Sequence, residues 1–249
     1  MSSENKHVVF DVVGTLVSYE VYYEAIEARL GDRLRAANVG PRIFGYAWME
    51  AGEKEYTYMS LSGGKYIKFF DIFRAGIQEP RKFATDEDRE FLLAAYCQLK
   101  PREGLKECFE KLRGGGFNVW ALASGDTQRV AGYLAAGGVD FPSDNFVSCD
   151  TIGVGKPAPD SYQYILDKFP KENLDVWFGA AHIWDTAGAR HCGFKGAWVS
   201  LWEKESCSEI FGEMEVIADD LPGLADGIVN YSPKSSHGVK WGGIGNTWT

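Results

Sequence analysis

The sequence predicts a doubly wound α/β fold, in which a parallel sheet carries helices on both faces. Several short runs are apolar almost throughout and do not alternate, which is typical of parallel strands buried on both sides. Helical patterns separate the later runs, and strands that alternate with helices indicate a doubly wound sheet. The predicted strands are residues 7–12, 118–123, 145–149, 175–179 and 196–201.

About a hundred residues separate the first two predicted strands, and this stretch predicts an inserted helical cap. Residues 19–99 lack strand-like alternation and are rich in Ala, Glu, Leu, Tyr and Phe at helical spacing, as in "EAIEARLGDRLRAA". The segment "TDED" at Thr85 indicates a helix start, with Thr85 as the N-cap and acids in the first turn. We therefore predict a core of residues 1–18 and 100–231, a cap of residues 19–99, and a loosely held tail of residues 232–249.

Three helices are predicted in the core after the cap. Residues 107–113 have a helical pattern and run into "RGGGF", where glycines can end a helix. Residues 127–136 follow the second predicted strand, and residues 160–168 precede the fourth. This alternation of strands and helices is what the doubly wound sheet requires.

The composition excludes some classes of partner. The net charge is −9 and the pI is about 5.0, which argues against general binding of nucleic acid or anionic membranes. No apolar segment is long enough to span a bilayer, and the amino terminus lacks the apolar core of a signal peptide. The five cysteines are odd in number and lack a metal-like pairing. They indicate reduced, mostly buried thiols, and we expect a cytoplasmic protein.

The functional site of an open α/β sheet is expected outside the carboxyl ends of its strands. Chemically capable side chains follow four of the predicted strands, so they are expected to converge at one edge of the sheet. They are Asp11, Gly14 and Thr15 after the first strand, Ser124 and Gly125 after the second, Lys156 after the third, and His182 and Asp185 after the fourth.

Asp11 has the character of a nucleophile. A carboxylate can attack an electrophilic centre and form an ester or acyl phosphate, which divides one difficult displacement into two easier steps. Lys156 is suited to keep such a carboxylate ionised and oriented. Thr15 and Ser124 carry hydroxyl donors, and the backbone of Gly14 offers an N–H group.

The covalent intermediate must then be hydrolysed, and Asp185 or His182 is suited to act as the general base for water. Each residue alone also has a structural interpretation. An acid before Gly-Thr is often a turn residue, Asp185 is suited to cap the following helix, and His182 is compatible with a hydrogen-bonded core histidine. Their joint occurrence at successive strand ends favours the catalytic interpretation.

The ordered set Asp-x-x-Gly-Thr, Ser-Gly, Lys-Pro and a late Asp resembles the haloacid dehalogenase superfamily of hydrolases over residues 6–230. Within it the chain is most similar to the type II 2-haloacid dehalogenases, through "FDVVGTL", "EYTYMSLSGGKYIKFF", "WDTAGARHCGF" and "KPAPDSY". The resemblance implies that Asp11 forms an ester with the substrate. It further implies that Thr15, Ser124 and Lys156 hold Asp11 and the substrate carboxylate, that Asp185 helps to activate water, and that Phe69, Trp184 and Tyr162 line the pocket.

Two positions distinguish the chain from the phosphatases of the superfamily. Those enzymes carry a second Asp two residues after the nucleophile, where this chain has Val13, which cannot protonate a leaving oxygen. A halide departs as a stable anion and needs no such proton. The phosphatases also bind magnesium through an acid at the position of Ala180. We therefore expect no cofactor, with Mg²⁺ left open as an alternative.

Other positions depart from the dehalogenase pattern itself. The cap arginine that receives halide and substrate falls on Glu50, or on Arg42 in an alternative alignment. The asparagine that contacts halide falls on Gly125, and the serine and asparagine after the fourth strand become Ala180 and His182. A negative charge in place of an arginine repels both halide and carboxylate.

The first hypothesis is a metal-independent, dehalogenase-like hydrolase that forms an Asp11 ester with a 2-haloacid or a related small organic substrate. The alternatives are a weak or specialised phosphatase and a non-catalytic scaffold that binds a partner. We expect a small-molecule substrate, no nucleic-acid or membrane partner, and a homodimer that pairs through the cap.

Overall fold

A computed structural model of the chain describes residues 5–75 and 82–233. Its main sheet has six parallel strands in the order β5-β4-β1-β6-β7-β8, and β2 and β3 form a small antiparallel pair. The strands are β1 (Lys6–Phe10), β2 (Val17–Ser18), β3 (Lys100–Pro101), β4 (Asn118–Ala123), β5 (Phe146–Ser148), β6 (Asp175–Ala180), β7 (Lys195–Val199) and β8 (Val216–Ala218).

Helices flank this sheet and fill the stretch between β2 and β3. They are α1 (Glu20–Ala36), α2 (Pro41–Leu61), α3 (Phe69–Ala75), α4 (Asp86–Tyr96), α5 (Leu105–Gly114), α6 (Thr127–Ala136), α7 (Cys149–Ile152), α8 (Pro159–Leu166), α9 (Ile183–His191), α10 (Ser208–Phe211) and α11 (Leu221–Val229).

Strand β1 lies in the middle of the sheet and explains why the apolar runs do not alternate. Val8 and Phe10 pack into one hydrophobic cluster, and Val9 packs into a second. Successive side chains of a strand point to opposite faces, and here helices cover both faces, so both kinds of position are apolar. The doubly wound α/β fold predicted from the sequence is confirmed.

All five predicted strands are present, with β1 ending at Phe10 and β7 ending at Val199. The sequence prediction missed β8. Its three residues form an edge strand in which Ile217 is half exposed. A strand of three residues is too short to show a periodic pattern of apolar side chains. Only its pairing with β7 identifies it as a strand.

Helices α1 to α4 occupy the residues predicted as the cap, and among the described residues of that stretch no strand occurs between α1 and α4. Helix α4 begins as predicted: Thr85 Oγ1 accepts from the Asp88 N–H at 3.1 Å, and Asp88 Oδ2 accepts from the Thr85 N–H at 3.0 Å. This reciprocal pair is a capping box, which satisfies donors that the helix start leaves unpaired. Buried aromatic side chains such as Trp48 and Phe73 fill the space between these helices.

The remaining sequence-based expectations concern the tail, the membrane and the cysteines. Of the predicted tail, residues 234–249 lie outside the described residues. Within the described residues, none of the helices combines the length and the apolar character needed to cross a bilayer. All five cysteines are free thiols, but only Cys108 and Cys149 are buried, so the expectation that most of them are buried is wrong.

Replacement of Thr85 by alanine is expected to lower the free energy of unfolding by about 1 kcal/mol, because it removes the acceptor that caps α4. Chemical denaturation followed by circular dichroism measures this change. The matched control is Thr127→Ala, since Thr127 is the exposed first residue of α6, whose N-cap is Asp126. Equal unfolding free energies of the wild type and the Thr85→Ala variant would contradict the assignment.

Candidate active site

A sharp turn follows β1 and presents Asp11 at the carboxyl edge of the sheet. The Asp11 N–H donates to the Gly179 carbonyl of β6 at 3.0 Å, which fixes the start of the turn. Gly14 has a φ of +94°, a conformation that side chains disfavour. A Cβ at this position would also lie 2.4 Å from Cε1 of His182. Glycine is therefore required here both by the backbone and by the approach of His182.

The Asp11 carboxylate is held on both oxygens. Oδ2 accepts from Thr15 Oγ1 at 2.7 Å, and Oδ1 accepts from Lys156 Nζ at 2.8 Å. The Thr15 hydroxyl in turn accepts the Ala181 N–H at 2.8 Å, so its own proton points to Asp11. Burial alone would raise the pKa of Asp11, but the charges of Lys156 and His182 outweigh burial and hold this pKa well below its usual range.

Lys156 lies between two buried carboxylates. Its Nζ contacts Asp11 Oδ1 at 2.8 Å and Asp185 Oδ2 at 2.6 Å, and only 1% of the side chain is exposed. Burial would lower the pKa of Lys156, but Asp11 and Asp185 together raise it above its ordinary value, so the ammonium stays charged. The second oxygen of Asp185 accepts from the Tyr162 hydroxyl at 2.6 Å. Asp185 thus orients Lys156 from behind.

His182 lies on the other side of Asp11, next to a carboxylate from the cap. Its Nδ1 is 3.5 Å from Asp11 Oδ2, and its Nε2 is 4.0 Å from Oε1 of Glu53 on α2. Burial would lower the pKa of His182, but Glu53 and Asp11 raise it to about 9. Burial likewise raises the pKa of Glu53 to about 7. In the free protein, His182 is therefore an imidazolium at neutral pH.

A cavity of about 50 Å³ lies above Asp11, between the sheet edge and helices α2 to α4. By the same measure a single water needs about 10–15 Å³, so the cavity suits a small organic molecule. The core contributes Asp11, Val13, Ser124, Gly125, Arg129, Lys156, His182 and Trp184 to its lining, and the cap side contributes Tyr19, Glu53, Tyr56, Thr57, Phe69 and Tyr96.

Three residues named from the sequence lie beneath the cavity and do not line it. Thr15 and Asp185 are fully buried and act on the cavity through Asp11 and Lys156. Tyr162 was expected to line the pocket, but it is also fully buried, and its hydroxyl reaches Asp185. Its place on α8 directs the ring into the core beneath β6.

The position aligned with the cap arginine also departs from expectation. Glu50 does not line the cavity, because it lies one helical turn before Glu53, near Tyr46. Arg42 pairs with Glu20 on the surface through contacts of 2.6 and 2.8 Å. Neither candidate for the cap arginine therefore reaches Asp11.

Sequence reasoning missed Glu53 and Arg129 as cavity residues. Glu53 shares one helical face with Tyr56 and Thr57, a spacing of three and four residues that was readable in "GEKEYTY". Which turn of α2 faces the nucleophile depends on how the cap packs on the core. Arg129 carried no comparable signal, because its reach depends on the length and the rotamer of its side chain.

The donor set does not fit a magnesium ion. Within residues 5–75 and 82–233, no group of three or more His, Cys, Asp or Glu side chains is arranged to hold a metal. Ala180 follows Gly179 where an acid is needed, and the Lys156 ammonium occupies the space between Asp11 and Asp185. Mg²⁺ requires oxygen ligands in near-octahedral geometry, whereas here a lysine supplies the positive charge.

Comparisons with known proteins agree with this architecture. Residues 5–193 match the family model described as haloacid dehalogenase-like hydrolase. The chain is 25% identical over 229 residues to (S)-2-haloacid dehalogenase 2 of Pseudomonas sp. strain CBS-3, which covers 89% of this chain and 96% of that protein. It is 26% identical over 190 residues to (S)-2-haloacid dehalogenase 4A of Burkholderia cepacia, covering 75% and 79%.

Solved structures share the fold. The L-2-haloacid dehalogenase of Xanthobacter autotrophicus superposes with a TM-score of 0.74 at 20% identity, over 91% of this chain and 99% of that one. Another L-2-haloacid dehalogenase superposes with a TM-score of 0.76 at 19% identity, over 92% and 99%.

The raised pKa of His182 predicts a pH dependence of stability. Protonation of His182 stabilises the folded state fully below the unfolded pKa of 6.5, and this contribution is lost as the pH rises through about 9. Between pH 7 and 9 we expect the free energy of unfolding to fall by an amount on the order of 1–3 kcal/mol. Chemical denaturation at both pH values measures the fall.

The fall in unfolding free energy between pH 7 and 9 should be smaller in a His182→Asn variant. It should be unchanged in His191→Asn, since His191 is exposed at the end of α9. An equal fall in His182→Asn and wild type would show that His182 is not responsible for it.

Proposed function

This chain belongs to the family of haloacid dehalogenase-like hydrolases, and on that premise we propose that it hydrolyses small 2-haloacids through an ester of Asp11. The observation that carries the proposal is the Asp11 carboxylate, which Lys156 keeps ionised at the floor of a small cavity. The similarity to (S)-2-haloacid dehalogenases supports this class of substrate. No step requires a metal or another cofactor.

In the first step the Asp11 carboxylate attacks the carbon that bears the halogen. A C–O bond forms, the carbon–halogen bond breaks, and the halide leaves with the bonding electrons. The halide needs no proton, which agrees with the apolar Val13 in the cavity wall. Lys156 and Thr15 orient the attacking carboxylate.

In the second step water attacks the ester carbonyl of Asp11 and gives one proton to a base. The ester C–O bond then breaks, the base returns this proton to the departing alkoxide, and the product leaves as an alcohol. Asp11 loses the second proton of the water to solvent and is a carboxylate again. Lys156 and Thr15 remain hydrogen-bonded to the carboxyl group and are suited to stabilise the oxyanion that develops there. The attacking water needs a general base within hydrogen-bond reach. His182 lines the cavity, whereas Asp185 is buried and both its oxygens are occupied. We therefore assign the role of base to His182.

The protonation state of His182 follows the state of Asp11. In the free enzyme the negative charges of Asp11 and Glu53 raise the pKa of His182. Formation of the ester removes the charge of Asp11, so the pKa of His182 falls. Loss of this charge favours the neutral imidazole, which can accept a proton from water once the excess proton has passed to solvent. Glu53, 4.0 Å from Nε2, stabilises the imidazolium that forms.

The two alternatives have weaker support. A phosphatase needs a proton donor for an alkoxide and an oxygen-ligand site for magnesium, but the chain has Val13 and Ala180 at those positions. A non-catalytic scaffold has little reason to keep Asp11 and Lys156 paired while they are buried. The open cavity above Asp11 also supports catalysis.

Three finer features are proposed alongside the reaction. We propose that residues 19–99 act as a cap over a core of residues 1–18 and 100–231. We propose a homodimer that pairs through the cap, supported by the exposed apolar side chains Ile43, Tyr58 and Leu61 of α2 and testable by light scattering. A cytoplasmic location is supported by the free cysteines.

Isotope labelling tests the nucleophile. In a single turnover in ¹⁸O-labelled water, the label should enter Asp11 and not the hydroxy acid, because water attacks the carboxyl carbon of the ester. Peptide mass spectrometry locates the label. Asp11→Asn should lose turnover by on the order of 10³-fold or more, whereas Asp144→Asn on the exposed surface should not. Label found only in the product would overturn the covalent mechanism.

Substitution of His182 tests the general base. His182→Asn should still form the ester but hydrolyse it slowly, because the group that accepts the proton from water is removed. Intact mass spectrometry during turnover should then detect a mass increase on Asp11 that the wild type does not accumulate. If the His182→Asn variant turns over as fast as the wild type and accumulates no adduct, His182 is not the general base.

A further inference from the structure

Arg129 presents an unused hydrogen-bond donor to the cavity. Its Nε donates to Asp126 Oδ2 at 2.9 Å, and its Nη1 donates to the Tyr133 hydroxyl at 3.1 Å. Within the part of the chain that the structure describes, Nη2 makes no hydrogen bond, although only 9% of the side chain is exposed. The nearly buried guanidinium of this cavity residue therefore has one nitrogen, Nη2, that lacks a hydrogen-bond partner among the described residues.

The guanidinium is fixed before any ligand arrives. Its centre lies 5.3 to 5.7 Å from the ring centroids of Phe70, Tyr96 and Tyr133. Such contacts attract the cation and limit its rotamers. Asp126, the N-cap of α6, holds Nε from below. A ligand that binds Nη2 therefore has little side-chain entropy to overcome.

The space that Nη2 occupies exists because residue 125 is a glycine. A Cβ on Gly125 would lie 2.1 Å from Arg129 Nη2, which is far inside van der Waals contact. The guanidinium therefore reaches the turn that follows β4, where Ser124 also lines the cavity. Gly125 and Arg129 are structurally coupled, because the Arg129 guanidinium occupies the space that a side chain at position 125 would need.

The charges around the cavity indicate what Nη2 can bind. Lys156 is compensated by Asp11 and Asp185, at 2.8 and 2.6 Å. His182 lies between Asp11 and Glu53, at 3.5 and 4.0 Å. His182 Nε2 makes no hydrogen bond within the described residues, but it faces the Glu53 carboxylate. Arg129 pairs with Asp126 through Nε, but its terminal Nη2 has no acceptor among the described residues. A charged donor of this kind favours an anionic acceptor.

We propose that Arg129 Nη2 and the space beside Gly125 form the anion subsite of the cavity, which receives either the carboxylate of the substrate or the departing halide. The inference rests on the proposed function, since it assigns a binding residue for the same reaction. It places the receiving cation on the core, whereas the cap offers Glu53 on its cavity face. The subsite explains how a cap whose Arg42 and Glu50 lie outside the cavity is compatible with an anionic substrate.

Equilibrium binding tests the subsite without turnover. In an Asp11→Asn background, calorimetry measures the affinity for sodium propionate, a carboxylate without a halogen, and for sodium bromide. Arg129→Met keeps the apolar stem of the side chain and should weaken at least one of these anions about tenfold or more. Weakened propionate binding identifies the carboxylate as the ligand, and weakened bromide binding identifies the halide.

Gly125→Ala should displace Nη2 and weaken the same anion while the arginine is retained. This second variant keeps the test valid if Arg129→Met fails to fold. The matched controls are Arg42→Met, which removes an arginine that stacks on Tyr23 outside the cavity, and Gly132→Ala, which adds a methyl group to α6 in open space. Both controls should bind as the parent does.

The inference is overturned if neither anion binds the parent Asp11→Asn protein, or if both bind Arg129→Met and Gly125→Ala as tightly as the parent. This readout is independent of the Asp11 labelling experiment. If the Arg129→Met and Gly125→Ala variants lose anion binding but no label enters Asp11, the subsite is supported and the ester mechanism is wrong. If label enters Asp11 but both variants bind anions as the parent does, the ester mechanism is supported and the subsite is wrong.

Discussion

The contact between Lys156 and two buried carboxylates is the constraint on which the rest of the structure depends. A single ammonium at 2.8 and 2.6 Å from Asp11 and Asp185 joins the loop that follows β1 and the first turn of α9 to the segment before α8. Removal of the ammonium from such a group leaves buried carboxylates without their counter-charge and costs about 3–5 kcal/mol. The same contact keeps Asp11 ionised, so the stability of the sheet edge and the charge of the proposed nucleophile have one origin. Tyr162 extends this network into the core beneath β6.

The cavity has a distinct division of charge between its two sides. The core supplies the Asp11 carboxylate and three cations, Lys156, His182 and Arg129, whereas the cap supplies the Glu53 carboxylate and aromatic rings. Glu53 raises the pKa of His182 from the opposite wall. The protonation state of His182 therefore depends on a carboxylate that α2 supplies.

The sequence predicted the central sheet and the residues at its edge because parallel strands follow a simple rule. Asp11, Lys156 and His182 follow buried strands or their loops, and the carboxyl ends of parallel strands meet at one edge. The cap side of the cavity could not be predicted in the same way. If α2 shifted by one helical turn, Glu50 would face the cavity in place of Glu53. No pattern in the sequence of α2 specifies how far the helix is shifted along its axis relative to the core. Side-chain reach, as in Arg129, depends on rotamers that residue identity alone does not determine.

The contact between Gly125 and Arg129 has a consequence for substitutions at either position. Arg129 keeps this rotamer only while position 125 lacks a side chain, because a Cβ there would lie 2.1 Å from Nη2. A side chain at position 125 would therefore move the guanidinium away from the turn after β4, and the contacts of Nε with Asp126 and of Nη1 with Tyr133 would rearrange with it.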